Sequence, residues 1–291
     1  MVTVRAPATS ANLGSGFDVF GAALGGPADI IRARPADRTT ISVTGLGSEY
    51  IPEDPAENTA GVVAEALEAP AHIEIDKGVR PASGLGSSAA SAAGAAVALN
   101  ELYDRGRSRK ELVSVAAEGE RAVSGAAHAD NVAPALLGGF TAATEAGVVG
   151  VPAEIPLVVC LPEVVVSTRD ARSVLPERVE RSQLVETVGR AATLVAGMCR
   201  DDPNLVGRGM ADSVVAAARS ELVPGYDQAR EAALAAGATG ATMSGSGPAI
   251  VAACREGQRR RVAAATVEAF EENGVAAQAY QTSVGAGAGL Y

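Results

Sequence analysis

Lysine is nearly absent from this 291-residue chain: among 24 basic side chains only Lys77 and Lys110 are lysines, and the rest are arginines. Acidic residues outnumber basic ones and leave a net charge of −10. That balance argues against nucleic acid as the main partner, because a phosphate backbone attracts basic surfaces. Cysteine is scarce as well. Cys160, Cys199 and Cys254 are scattered, with no C-x-x-C pair, which fits reduced thiols and speaks against a structural zinc site. Long apolar runs are missing too. The opening segment MVTVRAPATS has no run of signal-peptide length, and Ala89–Leu99 is too short and too rich in alanine to span a bilayer. The expectation is a cytoplasmic protein with no membrane partner. Its acidic, lysine-poor, alanine-rich character further points to a high-salt cytoplasm.

What is present is ordinary for a globular chain: 47% apolar and 20% charged residues. The length accommodates one large domain or two smaller ones. Val2–Arg5 alternates as a short strand and leads into a small-residue polar loop over Pro7–Phe17; further strands are expected at Asp29–Arg34, Thr40–Thr44 and His72–Asp76. Helical spacing covers Asn58–Ala69 and Ser87–Tyr103, and a capping box at Ser108–Glu111 opens a helix to about Val123. Glycine, valine and proline gather at Gly147–Pro156 and mark an expected domain boundary. Beyond it come a strand at Leu157–Leu161, a polar loop at Ser167–Arg172, and helices near Gln183–Cys199 and Tyr226–Ala236. A strand pair within Ala238–Cys254 is interrupted by Ser244-Gly245-Ser246-Gly247-Pro248, and a helix at Gln258–Glu272 ends at Gly274 before a last strand over Ala277–Ser283. Without a regular βαβ period, the order reads as a two-layer α+β protein.

One loop carries chemistry. Gly84-x-Gly86 followed by Ser87-Ser88 places backbone N–H groups with little side-chain bulk ahead of a helix. A helix start has unsatisfied donors and a partial positive charge, so it takes anions. A serine in the first turn can also reach a magnesium ion bound to the same phosphates. A Walker loop is excluded, since it needs Gly-Lys-Ser/Thr. A dinucleotide fingerprint needs its glycines directly after a strand, whereas Lys77–Ser83 intervenes here. A plain flexible turn before an alanine-rich helix stays open on these residues alone.

The whole string Pro81, Ala82, Ser83, Gly84, Leu85, Gly86, Ser87, Ser88, Ala89, Ala90, Ser91 resembles the second motif of the GHMP kinase family. Pro7–Asp18 (PATSANLGSGFD) resembles that family's first motif and Thr242–Pro248 (TMSGSGP) its third, in the same order. Within the family, the first motif and the segment His128–Gly139 (HADNVAPALLGG) are similar to homoserine kinases; Ser15 departs from the proline usual there.

The resemblance implies a two-domain α+β fold, with a nucleotide-binding domain over residues 1–150 and a ferredoxin-like domain over 151–291. It implies ATP-dependent phosphorylation of L-homoserine, with ATP and Mg2+ bound and, as is common among similar proteins, a homodimer. Ser88 and Glu120 would be the metal ligands. Eleven residues beyond Glu120, where mevalonate and galactose kinases carry a basic aspartate, this chain has Asn131, as homoserine kinases do. An amide accepts no proton at neutral pH, so Asn131 is expected to orient the substrate hydroxyl. Asp18 suits the α-ammonium and Asn12 the ammonium or hydroxyl, while Arg172 and Arg219 suit the carboxylate through their planar forks. Thr168 and His128 resemble further substrate contacts, Gly245 sits in the third motif, and adenine is expected near Asn58-Thr59. His72, in an alternating strand, reads as structural. Two alternatives stand beside this reading: a kinase of the same family acting on shikimate or mevalonate, and a member of the fold that binds a ligand without catalysis.

Overall fold

The computed structural model describes residues 1–124 and 129–291. In chain order the elements are β1 (Val2–Ala11), β2 (Phe20–Pro35), β3 (Thr40–Gly45), α1 (Thr59–Ala66), β4 (Ala71–Lys77), α2 (Ser87–Leu102), α3 (Arg109–Ser124) and α4 (Ala129–Leu137). The hairpin β5 (Phe140–Thr144) and β6 (Gly147–Val151) follows, then β7 (Pro156–Pro162), α5 (Thr168–Ser173), α6 (Arg181–Met198), α7 (Pro203–Gly209), α8 (Val215–Arg219) and α9 (Tyr226–Ala235). The chain closes with β8 (Gly240–Met243), β9 (Ile250–Ala253), α10 (Arg259–Glu272), β10 (Ala277–Ser283) and β11 (Gly289–Leu290).

Two sheets organise these elements. The first runs β11-β1-β2-β4-β3, with β5 joining β2 and β6 joining β5; the β3–β4 pair is parallel and the others are antiparallel. The second runs β10-β7-β9-β8, all antiparallel. This is an α+β arrangement, with helices packed on each sheet as the mixed order of elements leads one to expect.

The core of the first layer rests on α2. Twelve of its sixteen residues are buried, seven of them alanine and one glycine, so the helix lies close against β1 and β2. Small side chains let two backbones approach, and the large apolar groups Ile31, Ile73, Ile75 and Leu99 fill what remains. In the second layer α9 and α10 pack on each other and on the sheet around Phe270, Tyr226 and Val262. Among the described residues no helix is long and apolar enough to cross a membrane.

Two expectations needed correction. Pro7–Phe17 is not a loop throughout, since β1 continues to Ala11; a register shift between Pro7 and Thr9 lets the strand resume pairing at Thr9↔Ala23. Ser167–Arg172 is not an open loop either. The Ser167 side chain caps α5 by accepting from the Asp170 N–H at 3.0 Å. The glycine- and valine-rich stretch from Gly147 forms the second strand of the β5–β6 hairpin. The capping box at Ser108 is present: Glu111 accepts from the Ser108 backbone N–H at 2.8 Å, and the Glu111 N–H returns to Ser108 Oγ at 3.4 Å.

Candidate active site

The three glycine-containing segments, far apart in the chain, lock onto one another. The Gly245 N–H donates to Ala11 O at 3.1 Å, and the Ala249 N–H donates to Ser83 O at 3.2 Å. Ser244 Oγ is hydrogen-bonded to Ser10 Oγ at 2.9 Å and donates to Gly84 O at 2.7 Å. A side chain at Gly84 would place its Cβ 2.4 Å from Ser244 O, so only glycine permits this seam, and its φ of +77° demands the same. After β1 the backbone turns sharply, with Asn12, Leu13, Gly14 and then Asp18 all at positive φ. For a residue such as Leu13 that conformation costs about 1 kcal/mol, a strain typical of functional turns.

A cleft of about 350 Å³ opens where these segments meet. Pro81, Ala82, Ser83, Gly84, Gly86, Ser87, Ser88 and Ser91 line it, whereas Leu85, Ala89 and Ala90 lie in the core instead. Gly86 is the left-handed residue preceding α2 (φ +62°), and a Cβ there would sit 2.0 Å from Thr9 Oγ1 and 2.8 Å from Asn131 Oδ1. The bare loop is therefore pressed against both β1 and α4. Ser87 and Ser88 of the helix start beyond it line the cleft, and the first N–H groups of a helix have no intrahelical partner.

Asn12, Asp18, Asn58, Glu120, Asn131, Thr168, Arg172, Arg219 and Gly245 line the same cleft. His128 lies outside the described residues. Ser88 Oγ donates to Glu120 Oε2 at 3.0 Å, joining α2 to α3. Glu120 is buried, and that burial pushes its carboxyl up to about 7. Asn131 accepts from Thr9 Oγ1 at 3.0 Å, which fixes its amide at the edge of the loop. Also on the cleft wall, Arg172 grips Asp18 with two hydrogen bonds of 3.0 Å each. Asn12 Oδ1 accepts from the Asp18 N–H at 3.0 Å while Asn12 Nδ2 donates to Gly245 O at 2.9 Å. Arg219 is buried and donates to Ala171 O and Gly245 O, both at 2.9 Å, and Phe17 lies beneath both guanidinium groups. Burial, and then the charge of Arg172, lower the pKa of Arg219.

Asn58 is placed on the cleft wall, but its amide is occupied as a cap: Oδ1 accepts from the Ala60 N–H and Nδ2 donates to Pro52 O. His72 pairs with Thr40 Oγ1 at 2.8 Å on β4, away from the cleft. Two charged residues in the cleft escaped the sequence reading. Asp130 is buried beside Asn131, and burial followed by the charge of Asp18 raises its carboxyl to about 6. Lys77 is buried against Asp29, and burial lowers its pKa. Asp130 lay inside the segment His128–Gly139 and Lys77 four residues before the loop, so proximity to recognised motifs was the available signal.

Ser88 and Glu120 supply hard oxygen donors side by side at a helix start, which fits a divalent cation such as magnesium. Among the described residues no group of three or more histidine, cysteine or acidic side chains forms a metal cage. An ion here would draw its other ligands from phosphates and water, as magnesium commonly does.

Known proteins agree with this picture. Residues 56–139 match the family model described as GHMP kinases N terminal domain, and residues 194–277 match that of GHMP kinases C terminal. A homoserine kinase of Natronomonas pharaonis is 68% identical over 291 residues, covering 100% of both chains. One from Haloarcula marismortui is 67% identical over the same length, again covering 100% of both. Among solved structures, homoserine kinase from Cytophaga hutchinsonii superposes with a TM-score of 0.92 at 36% identity, covering 100% of this chain and 97% of that one. L. major mevalonate kinase in complex with R-mevalonate, at 16% identity and a TM-score of 0.74 over 97% of this chain and 95% of that one, shares the fold. On its motifs, its two matched domains and these full-length relatives, the chain belongs to the GHMP kinase family, on its homoserine kinase branch.

Proposed function

We propose that this protein is a kinase that transfers the γ-phosphoryl group of ATP to the side-chain hydroxyl of L-homoserine, yielding O-phospho-L-homoserine. The observation that carries the choice of acceptor is the facing of Asp18 by Arg172 and Arg219 in the cleft. A zwitterion offers both charges that this set can exchange: an ammonium for Asp18 and a carboxylate for the two guanidinium forks. Asp130, buried near Asp18, adds a second negative charge that favours an acceptor carrying an ammonium. Mevalonate and shikimate have a carboxylate but no ammonium, and they would leave these two anions without a counterion. Asn12, Thr168 and His128 complete the acceptor contacts in this reading.

Phosphoryl transfer depends on positioning and charge neutralisation rather than on covalent catalysis. The loop from Pro81 to Ser88 takes the phosphates on its N–H groups and the helix start. Asn131, held by Thr9, orients the acceptor hydroxyl, and its amide accepts no proton, so the proton leaves with the γ-phosphate or to solvent. A magnesium ion on Ser88 and Glu120 would offset the negative charge shared by the β- and γ-phosphates. Adenine rests against the wall formed by Tyr50, Ile51, Pro52 and Asn58. In this proposal the working form is a cytoplasmic homodimer whose two domains are residues 1–150 and 151–291; sedimentation and limited proteolysis test that part.

The direct test is a coupled ADP-release assay with L-homoserine, shikimate and mevalonate. Homoserine is expected to give the highest kcat/KM by at least an order of magnitude, on the order of the 1.4 kcal/mol that one satisfied charge contact provides. Equal turnover of mevalonate would defeat the acceptor assignment.

A further inference from the structure

Under the phosphate loop lies a buried polar cluster to which the roles above give no task. Lys77, the last residue of β4, donates from Nζ to Asp29 Oδ2 on β2, to Ser87 O at 2.8 Å and to Ser91 Oγ at 2.9 Å. An ammonium has three protons. All three are engaged. Asp29 Oδ1 accepts from the Gly78 N–H at 3.1 Å and the Val79 N–H at 3.0 Å, while Oδ2 also accepts from Ser91 Oγ at 3.0 Å. Ser87 Oγ donates to Val79 O at 2.7 Å. The cluster thus ties the chain entering the loop, Gly78–Val79, and the chain leaving it, Ser87 and Ser91 of α2, to the same carboxylate on β2.

Its composition is also unusual for this protein. The chain uses arginine for all but two of its 24 basic side chains, yet a lysine stands here with its side chain 1% exposed. Three acceptors converge on one point, which matches a compact ammonium. A guanidinium would bring five donors in a planar fork and leave some of them buried without partners. The lysine of a Walker loop reaches out to phosphates; Lys77, with every proton committed to the protein, does not.

We propose that Lys77, acting with Asp29 and Ser91, is a positioning residue of the nucleotide site: it holds both stems of loop 81–88 so that the loop's N–H groups converge on the phosphates, and it makes no bond to them itself. The proposal rests on reading the cleft as an ATP site.

ADP titration calorimetry and initial-rate kinetics on Lys77→Met, Asp29→Asn, their double variant and Ser91→Ala test it. Ser91→Ala keeps both charges and puts a good helix former in α2, so it supplies a folded protein even where a charge variant does not. Expected are an ADP Kd and an ATP KM raised by about tenfold or more in both charge variants, with the homoserine KM little changed. The double variant should lose no more than the worse single one, because both cut the same anchor. Ser91→Ala should move in the same direction by a smaller factor. If Lys77→Met loses ADP while Asp29→Asn binds it normally, Lys77 is a phosphate ligand and the proposal is wrong. An unchanged ADP Kd in folded Ser91→Ala and Lys77→Met, with only a lower Tm, overturns it as well. Failure of the unaltered protein to bind ADP would instead sink the nucleotide reading, and this proposal with it.

Discussion

Two ion pairs border the site, one buried beneath the phosphate loop and one on the cleft wall, and they differ most in exposure. Lys77 and Asp29 have side chains 1% and 0% exposed, whereas Arg172 and Asp18 are 40% and 44% exposed. The first pair is enclosed by further hydrogen bonds that use every proton of the ammonium; the second meets across the two halves of the chain, Asp18 following β1 and Arg172 lying on α5. Burial decides what each can do. A buried pair has no water to exchange with, so its partners are fixed and shape is its contribution. A half-exposed pair contributes little to stability, and an incoming ligand of matching charges can replace each partner at small cost. On the proposed function, the nucleotide side is thus set by the fold, while the acceptor side is set by groups that wait for a substrate.

The contrast is sharpened most by removing one partner from each pair. Asp29→Ala leaves an ammonium buried without a counterion and should lower stability by about 3–5 kcal/mol, while Asp18→Ala should cost less than about 1 kcal/mol. Urea unfolding of both variants checks this, and equal losses would erase the distinction. The next effect concerns turnover. Glu120→Gln keeps a partner for Ser88 Oγ but removes the negative charge at the proposed cation position, and kcat should fall by about 10²–10³-fold. The homoserine KM should hardly move in steady-state assays, since the proposal places Glu120 with the nucleotide. A third variant works from the acceptor side. Arg172→Ala should raise the homoserine KM by about ten- to a hundredfold and leave ADP binding by calorimetry unaltered. A matched rise in the ADP Kd would show that the two sides are coupled, contrary to the comparison.

How much of this was legible in the sequence follows the same division. Loop 81–91 and the Ser244–Pro248 turn were readable because a backbone approached that closely excludes side chains, and glycine records the constraint in the residue type. Ser88, Glu120, Asn131, Arg172 and Arg219 were expected from the family resemblance, and all five line one cleft. Long-range pairing was not readable. Nothing local in Pro7–Ala11 announces that it resumes a strand against Ala23, because that depends on a register shift and on the Thr9 N–H donating to Leu85 O at 3.0 Å. The short helix α5 escaped because its Ser167 cap outweighs a stretch of otherwise loop-like polar residues. Lys77 and Asp130 were missed for a common reason: the role of a buried charge is defined by partners distant in sequence, and Asp29 lies 48 residues from Lys77.

Asp130 provides the smallest expected effect and tests whether the acceptor side is maintained at a cost to stability. Its carboxyl stands at about 6 in the folded protein against an ordinary value of 3.8, chiefly through burial and then through Asp18. The folded state therefore holds this proton more tightly than the unfolded chain does. The stabilisation is fully present below the unfolded value and is lost as pH rises through about 6. Asp130→Asn removes the titration while keeping the side-chain shape, so at pH 7 it should stabilise the protein by about 1–2 kcal/mol. Denaturant unfolding at pH 5 and pH 8 separates the possibilities. The unaltered protein should lose stability relative to the variant on going from pH 5 to pH 8, and the variant should bind homoserine less well, having one negative charge fewer beside the ammonium. A variant less stable than the parent at pH 8 would mean that the Asp130 carboxylate is well paired in the folded protein, and that this side of the site is no more costly to maintain than the other.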